Sequence, residues 1–140
     1  MSFLGPTRDP VRQQLIDIRN QLLKLHKALL DSERGVYEKS HGRIESPGAF
    51  LQLLLGDSWF SWLKPMTDLV VQIDETLSAR DLADQDDFRR LIVRAQELLD
   101  PEVPENGFFE HYNGVVNRDV DVAFLHVQVV GLIRKSGKLQ

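Results

Sequence analysis

His26, Glu33 and Tyr37 are polar residues at positions where helical periodicity calls for apolar ones. At about 100° per residue, His26 and Glu33 project from near the centre of an apolar helix face, with Arg19 and Tyr37 at its edge. His26, Leu30, Glu33 and Tyr37 form one ladder of neighbours three and four apart. Far along the chain, His126 falls inside a second, broad apolar arc. A carboxylate and two imidazoles facing a core could make an acid–base pair or a metal site. His26, Glu33, Tyr37 and His126 could equally form a buried polar cluster that sets helix register, because buried polar groups need partners. The structural role is the expectation, since such networks outnumber functional sites.

Other chemistries find less support. Di-iron bundles use a Glu-x-x-His pair from each of two helices, and this chain has one match, Glu38-Lys39-Ser40-His41. No metal or cofactor is expected from it. There is no Gly-x-Ser-x-Gly elbow and no glycine-rich phosphate loop. Asp81, Asp84, Asp86 and Asp87 are dense, but acids at a helix N-terminus are favoured by the dipole and lack calcium-loop spacing. A non-enzymatic role follows as the leading expectation.

The elements that must carry these residues are helices. Asp9-Pro10 is a cap followed by a first-turn proline. Val11, Leu15, Ile18, Leu22, Leu25 and Leu29 then recur at spacings of four and three, predicting a long amphipathic helix to about Glu38. Gly35 is a point where it could end early. Ser46-Pro47 starts a short apolar helix that stops at Gly56. The stripe Trp59, Trp62, Met66, Leu69, Ile73, Leu77 keeps phase through Pro65, predicting one helix kinked there. Asp84 and Asp87 open a helix faced by Phe88, Leu91, Ile92, Ala95, Leu98 and Leu99. A loop from Pro101 to Gly107 leads to a short helix around Phe108–Val116, with Gly114 a weak point. From Asp119 to Arg134 the valines favour a strand, but no second strand exists to pair with it. Helix is therefore expected, with Val120, Ala123, Phe124, Val127 and Val130 on its apolar face and a position in the middle of the bundle.

Four apolar residues fall off these stripes. Phe60, Val71, Leu125 and Leu132 are the candidate interaction surface, for a protein partner or a homodimer, unless neighbours in the same chain bury them.

Composition sets the frame. The 140 residues are 42% hydrophobic and 27% charged, the balance of one globular domain. A net charge of −4 and the lack of a basic stripe argue against nucleic acid. The absence of cysteine excludes thiol nucleophiles and Cys-based metal sites and leans towards the cytoplasm. Met1–Pro6 does not read as a signal peptide, and no apolar run approaches the ~20 residues of a membrane span.

Two stretches, Leu25 to Arg34 with Tyr37-Glu38 and Trp59 to Pro65, resemble a group of small bacterial helical proteins without an assigned activity. The likeness extends loosely to Tyr112 and His126. It implies a bacterial source and a helical last segment, and carries no mechanism. The expectation is thus an all-α single domain over 1–140, four main helices plus one or two short ones, with flexible ends at 1–8 and 136–140. Its expected role is protein interaction or self-association, and ligand or metal binding by a His26/Glu33/His126 cluster is the alternative.

Overall fold

The computed structural model describes residues 9–79, 82–103 and 107–138. Asp9 accepts the Val11 and Arg12 amides at 3.0 and 3.2 Å, and Pro10 occupies the first turn. Helix α1 then runs Pro10–His41. It continues through Gly35, which costs a helix interior about 1 kcal/mol, without a break. It ends at Gly42, where φ of 86° suits a residue without a side chain. Ser46 caps α2 (Pro47–Gly56) through the Ala49 amide at 3.1 Å. No residue of α2 is fully buried; Phe50, Leu53 and Leu54 are partly covered.

The expected kink at Pro65 takes a different form. The chain turns over residues 58–60, makes one 3-10 turn at Ser61–Leu63, and only then enters α3 (Lys64–Ser78). Pro65 sits in the first turn of α3, where its missing N–H costs no hydrogen bond. The stripe still keeps phase: Trp62, Met66, Leu69 and Ile73 are all buried.

Helix α4 (Gln85–Leu98) opens with a complete capping box, Asp84 and Asp87 each accepting the other's amide at 3.0 Å. All six residues of its expected face are buried. Helix α5 (Phe108–Arg118) enters through Gly107 at φ 76° and is not broken at Gly114. Asp119 caps α6 (Val120–Lys138) through the Asp121 and Val122 amides. Among the described residues there are six α-helices and no strand, which makes this an all-α bundle.

Side-chain bridges set the register. Arg12 donates to the Leu77 carbonyl at 3.2 Å, Arg19 to Asp74 at 2.6 Å, and His26 meets Thr67 at 2.8 Å. As α1 ascends, α3 descends, so the two are antiparallel. Gln85 reaches Asp9 at 3.2 Å, which starts α4 beside the start of α1. Arg118 reaches Glu33 at 3.3 Å, so α6 begins far along α1 and returns.

The central helix is α1, which packs against α3, α4, α5 and α6. This corrects the expectation that the last helix is central. Leu15, Ile18, Leu22, Leu25 and Leu29 are fully buried, each contributing about 1.5–3 kcal/mol. Helix α6 also extends past Arg134: Ser136, placed by sequence in a flexible tail, is buried and donates to the Leu132 carbonyl at 3.0 Å. The remaining tail positions, 1–8 and 139–140, lie outside the described residues, as do Asp81 and residues 104–106.

Candidate functional site

The polar intrusions resolve into separate contacts. Glu33, 7% exposed, accepts the Trp59 indole N–H on Oε2 at 2.9 Å and the Arg118 guanidinium on Oε1 at 3.3 Å. Tyr37 joins the same corner, edge-on to Trp59 with centroids 5.6 Å apart and stacked on His41 at 4.3 Å. Glu33 and Tyr37 thus share Trp59 as a neighbour.

His26 turns elsewhere. Its Nε2 lies 2.8 Å from the Thr67 hydroxyl, which itself donates to the Leu63 carbonyl at 3.3 Å. The pair borders a groove of about 470 Å³ lined by Leu30, Leu51, Leu54 and Leu63. Burial lowers the His26 pKa below its ordinary value and favours the neutral ring.

His126 has a third set of partners. The Tyr112 hydroxyl lies 2.7 Å from its Nδ1. Tyr112 is fully buried, and burial raises its phenol pKa. Burial first, then the Arg134 charge, lowers that of His126. Burial thus disfavours the charged form of both groups, and one hydrogen bond joins the phenol to Nδ1.

The single cluster of His26, Glu33 and His126 is therefore not assembled. His26 and Glu33 are two turns apart on one helix, and each of the three bonds to different residues. Among the described residues no group of three His, Asp or Glu side chains could hold a metal ion. The Glu38/His41 pair is occupied in ending α1: Glu38 accepts the Ile44 amide at 2.7 Å and His41 lies against Tyr37. The acids at 84–87 serve the α4 cap. Asp87, held by the Asp84 amide and then by Arg90, has its pKa lowered.

The expected interaction surface is corrected as well. Phe60 is 2% exposed and packs beside Tyr37 and Phe50. Leu125 and Leu132 are half-buried against the core. Only Val71, 49% exposed, stays at the surface. Phe60 is covered by Tyr37 of α1 and Phe50 of α2, and Leu125 and Leu132 lie on the flanks of the buried stripe of α6.

Leu51 and Leu55 of α2 are exposed, and so is a longer apolar face on α6 made of residues whose spacing predicts the core. Val120 is 83% exposed, Phe124 62% and Val127 64%, whereas Val122, Val129 and Ile133 are buried. At about 100° per residue the two sets lie on opposite sides of the helix. A signal was present: the stripe Val122, Val129, Ile133, Ser136 runs the helix's full length, while the other gives way to Gly131 and Arg134. No family model matches this chain, and neither does any curated protein or solved structure.

Proposed function

We propose that the chain is a non-enzymatic interaction module that binds a protein partner through the outer face of α6. The observation carrying this reading is the exposure of Val120, Phe124 and Val127 along one stripe. A helix apolar on both sides is ordinarily covered on both, and single scattered surface residues would not align at spacings of four and three. The cysteine-free composition supports a cytoplasmic setting, and the resemblance of Leu25–Arg34 and Trp59–Pro65 supports a bacterial one. No described helix is long and apolar enough to cross a membrane.

The test is contact in the cell. A photoreactive phenylalanine analogue placed at Phe124 should give protein adducts on irradiation, and the same analogue at exposed Glu97 on α4 should give few. Equal yields from both positions would remove the reading.

Ligand binding is a second reading, carried by the groove at His26 and Thr67. It suits a small apolar molecule bearing one hydrogen-bonding group. Titration of such molecules should move the His26 ring resonances and leave those of His126 in place.

A further inference from the structure

We infer that the partner of the α6 face is a second copy of this chain, paired antiparallel across a two-fold axis near Gln128. The inference rests on the interaction reading above and specifies its partner.

The pattern along α6 is self-complementary. Val120, Phe124, Val127, Gly131 and Arg134 follow alternating spacings of four and three, the seam of a paired helix. Asp121, Gln128 and Lys135 follow at intervals of seven along one flank, and all three are exposed. An antiparallel copy reverses the order of this flank. Asp121 then faces Lys135 of the other copy at both ends, and Gln128 faces itself. Neither Asp121 nor Lys135 makes an ion pair with another described residue. A parallel copy would instead set this flank against the partner's opposite flank, Ala123 and Val130, and leave Asp121 and Lys135 without an opposite charge.

Shape agrees with charge. Gly131 is exposed, and a side chain built there would meet nothing within 4 Å. The same axis brings Phe124, the largest side chain of the stripe, over the open space at Gly131 of the other copy. An isologous contact of this kind closes on itself and gives a dimer rather than a filament. One helix face is smaller than the ~800 Å² per partner of a standard interface, so association is expected in the micromolar range.

The cysteine-free chain permits a direct test. Val127→Cys should form a disulfide-linked dimer under mild oxidation, because the two copies of position 127 lie beside the axis. Val120→Cys should not, because in the antiparallel pair its two copies are separated by about 24 Å, sixteen residues of helical rise. Sedimentation of the parent chain should approach twice 16.1 kDa with rising concentration. Asp121→Lys should weaken the dimer severalfold, and adding Lys135→Asp should restore it. Circular dichroism confirms that each variant is folded. A chain that stays monomeric overturns the inference, as does Val120→Cys linking as readily as Val127→Cys. Adducts from position 124 to another protein, with a monomeric parent chain, would overturn self-pairing and leave the interaction reading standing.

Discussion

The two faces of α6 are built from the same residue types and meet opposite surroundings. Val122, Val129 and Ile133 are buried in the bundle; Val120, Phe124 and Val127 stand in solvent. Both faces are apolar and both satisfy helical spacing, so neither composition nor periodicity separates them. The difference is one of length. The inner stripe is apolar from Val122 to Ile133, continues to buried Ser136, whose hydroxyl is satisfied by the Leu132 carbonyl, and belongs to the helix that packs on α1. The outer one is apolar only in its first half and gives way to Gly131, Arg134 and Lys135. Apolarity says that a face gains from cover, while its extent along the helix says which neighbour can supply it.

The sharpest way to break this comparison is the same substitution two residues apart. Val129→Asp puts an unpaired carboxylate into the core and should cost about 4 kcal/mol or more, enough to unfold much of the population. Val127→Asp should leave the monomer within about 0.5 kcal/mol of the parent. Urea denaturation under dilute conditions measures both, and equal losses would mean that both faces are buried.

Truncation gives a smaller version of the contrast. Ile133→Ala should cost about 2–4 kcal/mol, since a buried isoleucine leaves a cavity. Phe124→Ala should change monomer stability little and weaken association instead. Thermal melting and sedimentation separate the two effects.

Glu33 tests whether a buried polar group on α1 matters as the apolar ones do. Glu33→Ala leaves the Trp59 indole and Arg118 without their acceptor and should cost about 1–3 kcal/mol. His26→Ala should cost less, because the Thr67 hydroxyl keeps its Leu63 acceptor. Chemical denaturation read by tryptophan fluorescence compares them.

The smallest expected effect is on pH dependence. His26 and His126 both have folded pKa values below the ordinary 6.5. Between the folded and unfolded values the unfolded chain binds more protons, so stability rises with pH. Their contribution is full above 6.5 and is lost as pH falls towards the folded values. His126→Gln should flatten part of this acid-side slope in pH-dependent denaturation, and the neutral Val120→Ala should leave it unchanged.

Much of the fold was legible because its signals are local. Asp9-Pro10, Ser46-Pro47 and the Asp84/Asp87 pair mark helix starts through hydrogen bonds made within three residues of the cap. The faces of α1 and α4 were legible because each has one unbroken stripe. The Pro65 region reads as one kinked helix but is a 3-10 turn followed by a new helix, because the two keep nearly the same phase over one turn. Glu33 was legible as a buried group, while His26, Tyr37 and His126 are only partly covered and the four do not form one cluster. Spacing along α1 puts His26 and Glu33 on one side, but it contains nothing about which neighbours arrive at each level.

By itself the sequence determined an all-α chain, the starts of α1, α2, α4 and α6, the core of α1 and α4, and the need of His26, Glu33 and His126 for partners. Each of these depends on bonds or periodicities within a few turns. The tertiary structure alone decided that α1 is central, that Thr67, Trp59 with Arg118, and Tyr112 are the three separate partners, and that Phe60, Leu125 and Leu132 are covered. It also decided which side of α6 faces water. These outcomes depend on where helices distant in sequence come to rest, and a helix with two apolar faces leaves that choice to its neighbours.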